Sequence, residues 1–436
     1  MKKIIFLMMT LFTCIACTKH AGVSYSYEDA QRQKFEQDFI KTFSQPADNH
    51  DWGFASAKVA DLTSYGKATT RSHNVNRNEW EGQFNVPANV TEHERDLVVA
   101  EFSKERIGAV NENNINLCDY FIYEVYKGTD VYKDGFGQDV LGSDHMNHLQ
   151  VKKADGDLLP PDNACWEHAN DFNNADHGAV WGNIKGATLM LNSGTLDFAY
   201  HNSRDSKYHN EYIIIPGEKI DPSLAGYYYV GFDFYATHQD GQEANKNQDV
   251  DRDHRFSDWI LRISPAEFKN SKMIIAEDLG TAHSDYDYND IVATATLANE
   301  WIGDLNANKL VAHITLKAAG GTLPLYIAGR EVHELFGVPV NTMVNTGIVS
   351  RPYVQFTAIL GDADWSGSKS IKDIPIVVET PNGNITLQSN VGEPSEKLCV
   401  DPGYVWCSER QPIQDKYPDF SRWVADRSYQ NWYKVQ

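Results

Sequence analysis

The stretch EDLGTAHSDYDYND, residues 277 to 290, gathers Glu277, Asp278, Asp285, Asp287, Asn289 and Asp290 around two tyrosines. Oxygen donors at this density suit a cage for a hard cation, an acid/base pair, or a solvated acidic turn. Carboxylates packed together repel one another and hold on to their protons. A divalent cation removes that conflict, and Ca²⁺ takes about six to eight oxygens in a flexible cage. Ca²⁺ in a structural role is therefore the expected cofactor. The pattern is not an EF-hand: the sixth position from Asp285 is Asp290 where Gly is needed, and the twelfth is Thr296 where a bidentate Glu is needed. Zinc is disfavoured because no His/Cys cluster accompanies the acids.

An upstream segment reads as a degenerate copy. YYYVGFDFYATHQDGQEANKNQDVDRDHRFSDWILRI runs strand, acidic loop, strand, as does KMIIAEDLGTAHSDYDYNDIVATATL. Asp233 then stands near Asp278, Asp249, Asp251 and Asp253 match Asp285, Asp287 and Asn289, and Asp258 matches Asp290. This second set is a further candidate metal site. It also fails the EF-hand pattern, with His254 and Ile260 at the sixth and twelfth positions.

Other constellations carry less. His333-Glu334 lacks the second histidine of a zincin, since Gly337 stands there. His145, His148, His168 and His177 lie in polar segments, where solvated loop histidines are the ordinary case. No nucleophile elbow, P-loop or dinucleotide fingerprint is present, so no catalytic residue is assigned. Carboxylate pairs of the glycosidase kind are known by their separation in space, which a sequence does not give. Trp166, Trp181 and Trp365 suit stacking on sugar rings, although packing at the rim of a sandwich is the more ordinary role of such residues.

The elements that position the acids follow from periodicity. Asp-Tyr-Asp-Tyr-Asn in an extended segment puts three oxygen-bearing side chains on one side and two tyrosines on the other. IVATATL then places Ile291, Ala293, Ala295 and Leu297 on one face of a half-buried strand. Short aromatic and β-branched runs separated by Gly, Pro, Asn and Asp continue on both sides of this point. They predict a mainly β fold: a jelly-roll-like β-sandwich over 96–298 with both acidic motifs, and a second β-rich domain over 299–436. YEDAQRQKFEQDFIKTF (27–43) has Phe35, Phe39, Ile40 and Phe43 at helical spacing. Residues 55–95 are polar and poorly periodic, so 17–95 is read as tether, helix and a weakly ordered segment. The last residues predict a short helix with Ile413, Tyr417, Phe420, Trp423 and Trp432 as packing positions.

The chain's 436 residues begin MKKIIFLMMTLFTCIAC, a basic start and a short apolar run, which describes a secretory signal over 1–16. Its ending resembles a bacterial lipobox, which implies cleavage before Cys17 and lipid attachment to its sulfur; a secreted protein cut nearby is the alternative. No later segment is apolar enough to span a bilayer, so membrane attachment is expected through the N-terminal lipid alone. The formal net charge of -21, without a basic stripe, excludes nucleic acid as a partner. Lipidation of Cys17 would leave Cys118, Cys165, Cys399 and Cys407. In an exported chain, disulfides Cys399–Cys407 and Cys118–Cys165 are expected, with four buried thiols as the rival reading.

EDLGTAHSDYDYNDIV resembles the Glu-Asp…Asp-x-Asp-x-Asn-Asp motif of LruC-domain proteins, a family of exported bacterial proteins. GREVHELFGVPVNTMVNTG (329–347) and YVWCSERQPIQDKYPDFSRWV (404–424) are also similar to that family, so the resemblance spans roughly 95 to 436. It implies a cell-envelope lipoprotein with a β-rich fold and calcium sites, and supplies no reaction or ligand. The upstream copy departs from the motif, with Ser257 where Asn is expected. The expectation is a non-enzymatic lipoprotein at the outer membrane, on its periplasmic or surface side, whose Ca²⁺-stiffened loops bind a glycan or protein ligand. Two other classes stay open: a carbohydrate-binding or carbohydrate-hydrolysing surface protein, and an accessory subunit of surface filaments, for which TTRS (69–72) offers a basic cleavage site.

Overall fold

A computed structural model describes residues 26–59, 90–113, 211–233, 254–279, 284–302 and 305–434, except positions 258 and 348, and short parts of 84–88 and 115–200. The fold is mainly β, with several antiparallel sheets and a few helices, in line with the short β-branched and aromatic runs of the sequence. One five-stranded sheet contains β1 (Tyr120–Lys127), β2 (Val180–Trp181), β3 (Glu211–Pro216), β4 (Tyr228–Asp233) and β5 (Trp259–Pro265), in the order β2-β1-β5-β4-β3. Its companion structures use β6 (Lys272–Ala276), β7 (Ile291–Ile302), β8 (Ala307–Ala318), β9 (Leu325–Ile327), β10 (Arg330–Glu331), β11 (Val354–Asp362), β12 (Ile376–Thr380), β13 (Gly383–Thr386) and β14 (Lys397–Val400). These form a five-stranded sheet β11-β8-β7-β6-β14 and a four-stranded sheet β10-β9-β12-β13. Both contribute to one core, in which Ile274, Leu297 and Leu316 join Leu325, Ile376 and Ile385. The border expected at 298/299 falls inside β7, which pairs with β8 from Val292 to Ile302. The chain on the two sides of that position is therefore stitched into one sheet.

Helix α1 (Tyr27–Phe43) occupies the span its periodicity predicts and starts on a capping box between Ser26 and Asp29. Phe35, Phe39 and Phe43 enter the core, while Ile40 is 37% exposed. Truncating one of the three phenylalanines to Ala should cost about 3–5 kcal/mol, from lost transfer energy and the cavity left behind. A second helix, α2 (Glu92–Phe102), begins where low order was expected; Thr91 caps it by accepting from the Glu94 amide. Val98 and Phe102 pack on β1 and β4. Gly231 admits this packing, since a Cβ there would stand 2.2 Å from the Phe102 ring. The base of the helix is tied down by Arg262, which donates to both Glu94 oxygens at 2.9 Å, and by the Tyr229 hydroxyl at 2.8 Å.

The half-buried strand expected at 291–297 is buried on both faces. Ile291, Ala293, Ala295 and Leu297 line the core as expected. On the other face, the Thr294 hydroxyl donates to Glu267 at 2.6 Å and Thr296 meets Ser271 at 2.9 Å. Threonines are tolerated there because the residues after β5 fold back over the sheet with matching polar groups. At the C-terminus the single expected helix is two, α5 (Ile413–Lys416) and α6 (Phe420–Ala425), following the one-turn α3 (Gly217–Ile220) and α4 (Val332–Leu335). The break coincides with Tyr417-Pro418, where proline disfavours helical backbone at the residue before it. All five expected packing residues are buried.

The expected Cys399–Cys407 disulfide is not formed: both are free, buried thiols. Cys399 lies on β14, where its amide donates to the Trp52 carbonyl at 2.9 Å, whereas the Cys407 carbonyl accepts from Asn289 at 3.2 Å. The two ends of the VDPGYVW segment are thus anchored to different parts of the molecule. Burial pushes both thiols up to about 12, so neither is poised to react. Cys17, Cys118 and Cys165 lie outside the described residues, as do the signal segment, TTRS, Trp166 and the four loop histidines. Among the described residues no helix is long and apolar enough to cross a membrane.

Candidate metal centre

The last paired residues of β6 and β7 are Ala276 and Ile291, so the acidic stretch is the connection between two neighbouring antiparallel strands. Glu277 and Asp290 stand immediately beyond that pair. The Glu277 carboxylate is the organiser of the loop. It accepts from the amides of Tyr286 and Tyr288, both at 2.9 Å, and from the Ser284 hydroxyl. Presenting both amides to one carboxylate requires Tyr286 and Tyr288 to adopt left-handed backbone, at φ 57° and 52°. Each such residue costs about 1–3 kcal/mol and persists only where surroundings enforce it. The extended segment expected here is therefore replaced by a tightly wound one.

The predicted division of side chains survives that change. Tyr286 stacks among Phe35, Phe39 and Phe43 with ring centroids 5.6, 6.0 and 5.1 Å away. Tyr288 is fully buried and donates its hydroxyl to the Ser395 carbonyl at 2.7 Å. Between the two rings, Asp287 turns the other way and accepts from Asn289 N at 3.1 Å and Arg410 N at 2.8 Å. One ligand oxygen from each of Glu277, Asp285 and Asp287 lies within 4.8 Å of the others, with Asp285 the outermost. Asp278 and Asp290 form a second group: the Asp278 amide donates to Asp290 Oδ2 at 2.6 Å. A Cβ on Gly321 would stand 3.2 Å from Asp278 Oδ2 and 3.3 Å from Asp290 Oδ1, so this glycine fits between the two carboxylates. Asn289 is packed beside them with its Oδ1 buried and unpartnered; a Cβ on Gly320 would lie 1.8 Å from that atom.

The electrostatics follow from this crowding. Burial, then Asp287 and Asp285, hold the Glu277 carboxyl well above the usual carboxylate range. Burial, then Asp285, pushes Asp287 up to about 7. Burial, then Asp278, raises Asp290. Among the described residues Glu277, Asp285 and Asp287 make no ion pair. Their donor set is hard oxygen throughout, and the nearby Cys407 thiol is kept protonated by burial. These residues fit Ca²⁺ or a similar hard cation and do not fit zinc.

Two further segments contribute that the sequence alone does not mark. Gly320 and Gly321 follow β8, and Gly320 N donates to the Asn289 carbonyl at 3.0 Å. Glu409, next to the Arg410 amide that holds Asp287, is raised by burial and then by Asp285. The similar segment 404–424 was visible in the sequence, but nothing local in it pointed toward residue 287. Of the upstream set, Asp233 is buried at the end of β4, just beyond the Phe232–Trp259 pair. The backbone relation of β4 to β5 thus matches that of β6 to β7. Asp249, Asp251, Asp253 and Asp258 lie outside the described residues. Compared with known proteins, the chain matches no family model, no curated protein and no solved structure.

Proposed function

We propose that this is an exported, lipid-anchored cell-envelope protein whose β body is stiffened by Ca²⁺ at the β6–β7 connection, and that it works by binding rather than by catalysis. The observation that carries the cation reading is the convergence of Glu277, Asp285 and Asp287 within 4.8 Å, with no cationic side chain among the described residues paired to them. Ca²⁺ would offset the mutual repulsion of the three carboxylates; Glu277 meanwhile fixes the loop through the Tyr286 and Tyr288 amides. The resemblance of EDLGTAHSDYDYNDIV to LruC-domain proteins supports the same reading, as does the lipobox-like sequence ending at Cys17. Calorimetry in chelator and in Ca²⁺ tests the cation: the melting temperature should rise with Ca²⁺ and fall again on chelation. Identical transitions would remove it. Labelling with a fatty-acid analogue tests the anchor, with wild type labelled and Cys17→Ser unlabelled. Trp365, 66% exposed, keeps a carbohydrate ligand as the second reading, and a glycan array comparing wild type with Trp365→Ala decides it.

A further inference from the structure

A cleft of about 340 Å³ opens between α3 and the start of β11, lined by Glu218, Lys219, Tyr228, Phe336, Arg351 and Val354 among others. Its volume is near the lower end of the range for small-molecule sites, roughly 300–1,000 Å³. Both Glu218 carboxylate oxygens are shielded from water and, among the described residues, have no hydrogen-bond partner beyond the residue's own amide. A carboxylate in that condition bears a desolvation cost that a bound donor would relieve. Burial raises its proton affinity, and Lys219 and Arg351 only partly oppose that. Arg351 lines the same cleft without pairing to Glu218; its guanidinium donates to the Ser350 carbonyl at 2.9 Å, and its backbone is fixed by Asn345. The lining therefore brings together an acid that lacks a donor, the Arg351 guanidinium, and an apolar wall made by Phe336 and Val354, both 6% exposed.

We propose that this cleft binds a small zwitterion, an amino acid or a short peptide with both ends free. Its ammonium group would meet Glu218, its carboxylate Arg351 and Lys219, and its side chain the Phe336–Val354 wall. The bidentate fit of guanidinium to carboxylate favours this orientation over the reverse. The site shares no residue with the acidic connection, so its success or failure is independent of the cation.

Calorimetric titration of the full chain with leucine and with leucyl-leucine tests it, each repeated with N-acetylated and C-amidated versions. The free zwitterions should bind, and blocking either end should weaken binding about tenfold or more, as expected for loss of a charged hydrogen bond. Glu218→Gln and Arg351→Gln, checked for an unchanged fold by circular dichroism, should each do the same to the unblocked ligand. Tighter binding of leucyl-leucine than of leucine identifies a short peptide as the ligand, and equal binding identifies a free amino acid. Absence of binding by both zwitterions overturns the proposal. So does equal affinity for blocked and unblocked ligands, or a Glu218→Gln variant that is more stable yet binds unchanged.

Discussion

Glu94 and Glu277 are both buried carboxylates at the foot of a sheet, and the chain treats them in opposite ways. Glu94 meets Arg262 on both oxygens at 2.9 Å and a tyrosine hydroxyl besides. Among the described residues Glu277 meets only neutral donors, two amides and a serine hydroxyl, and looks out on Asp285 and Asp287. The first is a finished ion pair that fixes α2 to its sheet. The second concentrates negative charge while spending two strained tyrosines to hold the arrangement. Among the described residues no arginine answers Glu277 as Arg262 answers Glu94, and this is the contrast that the proposed cation would resolve.

Breaking the finished pair should have the largest effect. Arg262→Met leaves Glu94 buried and uncompensated and should cost about 3–5 kcal/mol in denaturant unfolding. That loss should be the same in Ca²⁺ and in chelator; a loss that Ca²⁺ alone repairs would erase the distinction between the two sites. Next in size, Asp287→Asn should abolish most of the Ca²⁺-dependent gain, about 3 kcal/mol for wild type at a hundredfold excess over Kd. In chelator the same variant should match or exceed wild-type stability, because one of the mutually repelling charges is gone. A variant that is equally weakened in both media would mean that Asp287 serves only to hold the Arg410 amide.

A third effect should appear as a slope of stability against pH. Asp287 sits at about 7 in the cation-free protein against an ordinary 3.8. The folded chain then binds more protons than the unfolded one across that interval, so stability in chelator should fall as pH rises from about 4 to about 7. Saturating Ca²⁺ should reverse the trend, since it binds the deprotonated carboxylates. His50 acts with the opposite sign. It is enclosed between Trp52 and Trp423, with ring centroids 4.2 and 4.5 Å away, and both ring nitrogens lack partners. Burial pushes it down to about 4 from 6.5, so stability should decline as pH falls through that window. Thermal melts of His50→Phe and Asp287→Asn across pH separate the two contributions; unchanged slopes in both variants would rule out these assignments.

Local pattern made several of these features readable. Helix α1 announced itself because Phe35, Phe39 and Phe43 recur at helical spacing with no competing signal. The acidic connection was readable because all of its carboxylates lie within one short segment. Helix α2 is not legible although its start carries Thr91 and Glu94 at capping-box spacing; Val98, Phe102 and the paired Glu94 are buried while Leu97 and Val99 pack at the edge of the same cluster, a run that marks no clear helical period. Gly320, Glu409 and Arg410 were invisible as site residues because they reach the loop through tertiary structure. The failed disulfide has the same origin. Two cysteines close in sequence were assigned to each other, while the fold gave each a different neighbour.

The placement of α1 has a consequence for the order of events during synthesis. Its phenylalanines pack on Tyr286 and, at 5.0 Å between Phe43 and Phe420, on a residue made almost at the end of the chain. Arg32 reaches Glu396 at 2.8 Å, and Glu28 accepts from the Thr386 amide at 3.1 Å. Such contacts close very long loops, so they form late and only after the distant partners exist. The first helix to leave the ribosome is therefore among the last to dock, and the core around the acidic loop stays incomplete until translation is nearly finished. For the export proposed above, such a delay would help to keep the N-terminal part of the nascent polymer unfolded during its passage.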